Sequence, residues 1–338
     1  MRFRLPNVVV VGLALAAAAV LAGAQALPGV PSGPVEPAPA AKQAAGQNPA
    51  QPAAQNRKHP QYVFRAQSAE VLVHVTVLDK KGRPVNNLPL ADFRVFDNGA
   101  QQHVDYFTHS DAPISAGLVV DNSGSMEDKR TAVIAAALDF VRASNPQDQI
   151  FIVNFNDEYY LDTDFTSSIA KLQQGLDHIQ STGGTALYDA IVASLYHLKK
   201  GTRQKKVLLV ITDGSDDASQ DTLEQVVRTA QQMHGPLIYC VGLTYQDMDR
   251  GRADRALKRI ARATGGMAYF PKDLSQVNSI TEYVAAAIRR QYTLGYRPNQ
   301  KQPGFHAIRV ELRGKHTRGL RIYARTGYYE AGSPGAGD

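Results

Sequence analysis

From Ile114 onward, short runs of purely apolar residues alternate with stretches whose apolar residues recur at helical spacing. No other feature constrains the fold as much. A run such as Ala116-Gly117-Leu118-Val119-Val120 has no polar alternate positions. Both of its faces must therefore be buried, as in the strands of a parallel sheet. Ile150-Phe151-Ile152-Val153, Val207-Leu208-Leu209-Val210-Ile211, Leu237-Ile238-Tyr239-Cys240-Val241 and the shorter 267–270 read the same way. Between the strands lie helix faces. They are carried by Ile134, Leu138 and Val141, by Leu172, Leu176 and Ile179, and by Leu187, Ile191, Leu195 and Leu198. Further faces comprise Leu223, Val226, Val227 and Ala230, then Ala256, Leu257 and Ile260, and finally Val277, Ile280, Val284 and Ile288. Asp221 with Glu224 has the spacing of a capping box, and Gly265-Gly266 can stop the helix before it. The expectation is a doubly wound, mostly parallel α/β sheet covered on both faces. In such sheets ligands sit at the carboxyl ends of the strands.

On either side of this unit the period changes to two. Before it, Val71, Val73, Val75 and Val77 alternate with Leu72, His74, Thr76 and Leu78. Residues 92–96 and 102–107 make two more strands around the hairpin signal Asp97-Asn98-Gly99. After it, 292–296, 308–312 and 320–323 are strand-like. Each β piece alone is too small for a good core. The economical reading is one β-sandwich-like domain built from 61–111 and 291–328, with the α/β domain, 112–290, inserted between them. The bland alternative is two separate β caps.

The ends of the chain carry different signals. Arg2 and Arg4 precede an apolar run from Val8 to Ala22, and Ala22-Gly23-Ala24 and Ala24-Gln25-Ala26 fit small-x-small cleavage sites. Residues 1–26 read as a signal peptide. Left uncleaved, the same run is a membrane anchor near the lower length limit for spanning. Neither cleavage site is followed by Cys, which argues against a lipoprotein. Residues 27–60 are rich in Pro, Ala, Gln and Gly, cannot bury enough apolar area to offset their ordering entropy, and read as a disordered tether. Residues 329–338 read as a flexible tail. The chain is therefore expected to be secreted, periplasmic or held in the cell envelope. Its lone Cys240 rules out an intrachain disulfide, a zinc cluster or a redox pair. A formal charge of +6 from 37 basic and 31 acidic residues is weak support for nucleic-acid binding, and no aromatic residues interleave with the basic ones.

Three polar clusters fall at strand ends or before helices: Asp121-Asn122-Ser123-Gly124-Ser125, Gly183-Gly184-Thr185 and Thr212-Asp213-Gly214. Every candidate ligand in them is an oxygen, which suits small hard cations; magnesium takes about six. Asp121, Ser123 and Ser125 can converge where the strand turns into its helix. Asp213 adds a second carboxylate from the neighbouring strand.

The pattern DxSxS, then Gly-Gly-Thr, then Thr-Asp-Gly resembles the von Willebrand factor type A (VWA) domain over about 114–290. The flanks, with GRPV…DF.VFDNG and YTLGY…GYY, resemble the secreted VWFA-related proteins first catalogued from acidobacteria. The resemblance implies a metal-ion-dependent adhesion site (MIDAS) with Asp121, Ser123, Ser125, Thr185 and Asp213 as ligands, directly or through water. It implies Mg2+ (or Mn2+ or Ca2+) and a partner protein whose Asp or Glu completes the coordination. A non-enzymatic binding module is the resulting expectation. The alternatives are a structural envelope component with a stabilising metal, or a magnesium-dependent phosphoester hydrolase with Asp121 as nucleophile. Against the hydrolase, the second residue after Asp121 is Ser123, not a second carboxylate.

Other polar residues have plainer readings. Asp216 and Asp217, like Glu127 and Asp128, read as solvated residues near helix starts or as the rim of the site. Cys240 reads as a buried inert thiol. The run Lys199, Lys200, Arg203, Lys205 and Lys206 reads as a solvated connection, and Arg309, Arg313, Arg318, Arg321 and Arg325 as the wet face of the last strands.

Overall fold

The computed structural model describes residues 70–177, 181–233, 235–244, 250–299 and 302–330. The expected leader, the tether, Ile179 and residues 331–338 lie outside these residues. Among the described residues no helix is long and apolar enough to cross a membrane.

The centre of the chain is a mixed six-stranded sheet with helices on both faces. Its strands are β5 (Ile114–Asp121), β6 (Gln149–Phe155), β7 (Tyr159–Thr166), β8 (Lys205–Thr212), β9 (Leu237–Gly242) and β10 (Ala268–Tyr269). They lie in the order β10-β9-β8-β5-β6-β7, with only β7 antiparallel to its neighbour. Every residue of β5 is buried. Ala116, Leu118 and Val120 face α1 (Arg130–Ala143), α2 (Ile169–Asp177) and α6 (Val277–Arg289). Val119 faces α3 (Leu187–Leu198), α4 (Leu223–Gln232) and α5 (Arg250–Thr264). Gly117 shares that second face by strand alternation, and is glycine where a Cβ would collide with the Phe151 ring. The apolar runs thus become strands because burial on both faces excludes polar alternates. The chain lays β5, β6 and β7 outward in one direction, then returns to place β8, β9 and β10 on the other side of β5. The reversal falls between β5 and β8, where open α/β sheets form their crevice.

Some local expectations differ from what is observed. The cap of α4 is Thr222, not Asp221: its hydroxyl accepts from Gln225 N at 3.3 Å, and Gln225 Oε1 accepts from Thr222 N at 2.7 Å. The Asp221 amide instead donates to Asp189 Oδ1 at 2.7 Å. Strand β7 was not signalled by sequence, because Tyr-Tyr-Leu-Asp-Thr-Asp-Phe-Thr is an exposed edge with no buried alternate row. Two members of the basic run, buried Lys205 and half-buried Lys206, are engaged with helix ends. Lys205 Nζ is buried and caps the end of α6 at Ile288 O (2.9 Å), and Lys206 Nζ donates to Leu198 O and Gly201 O at the end of α3. Cationic groups are favoured at helix carboxyl ends.

The flanking segments form two four-stranded sheets. One runs β13 (Arg321–Ala324), β1 (Val71–Leu78), β11 (Tyr292–Tyr296), β4 (Tyr106–Thr108). The other runs β14 (Gly327–Glu330), β12 (Gly304–Leu312), β2 (Phe93–Asp97), β3 (Ala100–Gln102). Strands from before and after the α/β unit pair directly, β1 with β11 and β2 with β12, both antiparallel. Val73, Val75, Val95, Tyr292, Leu294 and Val310 belong to one apolar cluster shared by both sheets. The stretch 102–107, expected as a single strand, is split: β3 pairs with β2, and β4 crosses to pair with β11. Period-two spacing marks a strand but not its sheet. Strand β14 continues to Glu330, and Arg325 is buried between it and β13 rather than on a wet face.

Two buried polar clusters tie these layers together. Between the sheets, Asp97 accepts hydrogen bonds from Tyr296 Oη (2.8 Å), Tyr328 Oη (3.0 Å) and the His306 ring (2.8 Å). At the junction with the α/β unit, Gln291 Nε2 donates to Thr76 Oγ1 (2.9 Å) and Tyr239 Oη (3.0 Å). His74 Nδ1 lies 3.0 Å from Thr293 Oγ1 in the same layer. Burial, with Lys205 and Arg325 nearby, pushes the His74 pKa down to about 3 from 6.5. The folded chain thus refuses a proton that the unfolded chain accepts below pH 6.5. Stability present above that pH is lost as the pH falls toward the folded value. The loss from this group between pH 6.5 and 5 is ~2 kcal/mol. Urea unfolding of wild type and His74→Gln at both values checks it: the variant is expected to lose the smaller amount of stability on acidification.

Candidate metal centre

The three polar clusters meet at the carboxyl ends of β5 and β8, beside the chain reversal. Asp121 is the last residue of β5, and Ser123 N turns back to donate to its Oδ1 at 2.8 Å. Thr212 Oγ1, ending β8, donates to its Oδ2 at 2.5 Å. Asn122, the intervening residue, points away into the protein, where Nδ2 donates to Asn154 Oδ1 at 2.8 Å. Its departure leaves Ser123 and Ser125 on the Asp121 side, with their hydroxyls 3.2 Å apart. Ser125 Oγ donates to Asp213 Oδ1 at 2.8 Å, joining the β5 turn to the end of β8.

The third cluster is held against these two by backbone bonds. Gly124 N donates to Gly183 O at 3.1 Å and Thr182 N to Asn122 O at 3.0 Å. Gly183 has φ +80°, and a side chain there would collide with the Asp157 carboxylate. That carboxylate accepts from Gly184 N at 2.8 Å. Asp217 Oδ1 accepts from Thr185 N at 2.7 Å, and Asp216 Oδ1 from Tyr188 N at 3.1 Å at the start of α3. Asp216, half-buried, and Asp217, still exposed, therefore brace the loop and helix start at the rim. Thr185 Oγ1 comes within 3.8 Å of where a Cβ on Gly214 would lie. Glu127 and Asp128 are exposed, in a 3-10 turn after Ser125.

Burial defines the opening. Asp121, Ser123, Thr185 and Asp213 are each 1–5% exposed, whereas Ser125 is exposed at the mouth. Burial pushes the Asp121 pKa up to about 6, offset in part by the bonds from Thr212 and Ser123, with nearby Asp213 adding to the rise. A carboxylate so costly to ionise lacks a counter-charge, and a bound cation would supply one.

One residue at the site was not singled out from sequence. Lys129 is buried, and its Nζ makes an ion pair with Asp213 Oδ2 and donates to Ser125 O at 2.9 Å. The available signal was its spacing, one helical turn past Ser125. Cys240 is buried mid-strand, and its thiol is pushed up to about 12, which keeps it protonated and inert. Among the described residues no group of three or more His, Cys, Asp or Glu is placed to hold a metal ion. The cluster offers two carboxylates and three hydroxyls and no nitrogen or sulfur, a donor set that fits a hard divalent ion.

Residues 117–215 match the von Willebrand factor type A domain. The matched segment is shorter than the 114–290 expected from motifs, but it contains all five candidate oxygen ligands and Lys129. Among solved structures, the vWF domain of the type V pili tip protein Mfa5 from Porphyromonas gingivalis is similar at 14% identity and a TM-score of 0.44, over 53% of this chain and 97% of that one. A von Willebrand factor type A protein from Catenulispora acidiphila is similar at 11% identity and 0.46, over 79% and 76%. Proximal thread matrix protein 1 from the mussel byssus, with a zinc-occupied MIDAS motif, is similar at 18% identity and 0.47, over 58% and 50%. No curated protein matches the chain.

Proposed function

We propose that this chain is an exported, non-enzymatic VWA protein of the secreted VWFA-related kind. It binds a partner protein through a divalent ion held by Asp121, Ser123, Ser125, Thr185 and Asp213. Magnesium is the ion favoured by the all-oxygen set, with manganese and calcium as the alternatives. The two flanking sheets serve as a β-sandwich into which 112–290 is inserted, and 27–60 is a tether that holds the folded part away from a membrane or a cleavage site.

The observation that carries this reading is the junction of Ser125 with Asp213, which brings oxygens from two strand ends to one partly open mouth. Lys129 adds to it. With Lys129 paired to Asp213, the two carboxylates would not fully neutralise a divalent ion, and a net positive charge would remain at the mouth. Bound there, the ion would supply a Lewis-acidic position open to a carboxylate from outside. The chain's own part is to hold the oxygens; Lys129 is a fixed cation with which the ion would have to share Asp213. Against the phosphatase alternative with Asp121 as nucleophile, the second residue after it is Ser123 and not a carboxylate that could act as acid and base.

The test is partner capture on the immobilised full chain from an envelope extract, with magnesium, with chelator, and with magnesium restored. The expected result is a captured protein lost on chelation and recovered on restoration. Capture that ignores the chelator contradicts the adhesion reading and favours a structural metal. Turnover in a phosphoester screen would point to the hydrolase.

A further inference from the structure

A groove of about 1120 Å3 opens away from the metal centre, where α5, α6 and β10 face β12 and β13. Its lining includes the cations Lys258, Arg262, Arg309 and Arg321, and no Asp or Glu. Lys258 is spoken for by Asp254 at 3.7 Å, and Arg309 by Glu311. Arg262 and Arg321 are exposed and engage in no ion pair among the described residues. Arg321 reaches over Gly82 at the groove's edge, where Tyr283 Oη donates to Gly82 O at 2.5 Å. The floor is apolar and aromatic, with Ile280, Val310, Ile322 and Tyr269.

The groove is bordered by two terminal strands. β10 is the last strand of the six-stranded sheet and β13 the last of its own sheet, so each has one side without a strand partner. Such edges are templates for an added strand, whose backbone supplies affinity and whose alternate side chains supply selectivity. A site for a free phosphate or an anionic glycan would not need the apolar floor.

We propose that this groove takes an extended acidic segment of a partner protein. The segment lies along β13 with alternate apolar side chains on the floor and carboxylates against Arg262 and Arg321. The chain's own tether is a poor occupant by charge: residues 27–60 carry Glu36 against Lys42, Arg57 and Lys58. The site is independent of the metal centre, so it stands or falls separately from the adhesion reading.

The test is fluorescence anisotropy on the full chain in chelator, which silences the metal centre. The probe is a short labelled peptide alternating Glu and Val; the controls are its Lys-Val counterpart, a copy with alternate amides N-methylated, and heparin. The Glu-Val probe is expected to saturate, and its affinity to fall about tenfold or more in the double variant Arg262→Glu, Arg321→Glu. The Lys-Val and N-methylated peptides are expected not to bind. Absence of saturable Glu-Val binding, or unchanged affinity in the double variant, overturns the proposal. Equal binding of the N-methylated copy overturns strand addition. Heparin binding that the Glu-Val peptide cannot displace assigns the groove to anionic glycans instead.

Discussion

Replacing Asp121 with alanine is expected to lower magnesium affinity on the order of 100-fold or more while the chain stays folded. Asp121 is 1% exposed and its pKa is raised to about 6, so the apo protein bears an ionised carboxylate against the cost of burial. Removing that charge relieves the fold but deprives a divalent ion of one of two anionic ligands. The Thr212 hydroxyl and the Ser123 amide lose their acceptor, so Asp121→Asn is the cleaner second variant. It keeps an acceptor without the charge. Ser125→Ala is expected to cost less than either, because Ser125 is exposed and water can take the place of its hydroxyl. Titration calorimetry with magnesium gives the order: wild type tightest, Ser125→Ala next, Asp121→Asn and Asp121→Ala weakest. Equal affinities for wild type and Asp121→Ala would remove Asp121 from the site.

The second large effect is structural. Asp97→Ala is expected to cost ~3–5 kcal/mol of stability. One carboxylate, 4% exposed, accepts from Tyr296 on one sheet and from Tyr328 and His306 on the other. Alanine leaves three buried donors with no acceptor, each carrying its desolvation cost, and opens a void between the sheets. Typical domains have ~5–15 kcal/mol in total, so the variant sits near the threshold. Urea unfolding measures the loss. Asp97→Asn, which keeps one acceptor oxygen, is expected to fall between wild type and alanine. A loss under ~1 kcal/mol for Asp97→Ala would show that water replaces the carboxylate and that the sheets do not depend on it.

Much of this was legible in the amino-acid sequence, for identifiable reasons. The strands of the six-stranded sheet stand out because burial on both faces leaves runs such as Val207-Leu208-Leu209-Val210-Ile211 with no polar position. β7 was hidden because nothing on it is fully buried. The split of 102–107 between two sheets was hidden because period two carries no partner information. At the candidate metal centre, polar clusters at strand ends and before a helix drew attention to Asp121, Ser123, Ser125, Thr185 and Asp213, and the resemblance to the VWA domain named them as ligands. Lys129 was not, since a lysine early in a helix is ordinarily solvated, and only the fold turns it onto Asp213. Lys205 and Arg325 misled in the same way: their charge predicts exposure, while a helix end and an aromatic ring hold them inside, and Lys206 is half-buried against the end of α3. Asp157 was not singled out, and Asp217 only as a possible rim residue, because both act across the chain, on the backbone of Gly184 and Thr185.

The central claim is that the oxygens at the ends of β5 and β8 hold a divalent ion. Manganese titration followed by amide NMR tests it at the level of single residues, because the ion's unpaired electrons broaden the signals closest to it. At substoichiometric manganese the account predicts selective loss of the Ser123, Gly124, Ser125, Thr185, Asp213 and Gly214 amides, reversed by excess magnesium. Signals at the opposite ends of the strands, such as Ser115 and Lys206, should be unchanged. Loss centred elsewhere, or no selective loss at any residue, would contradict it.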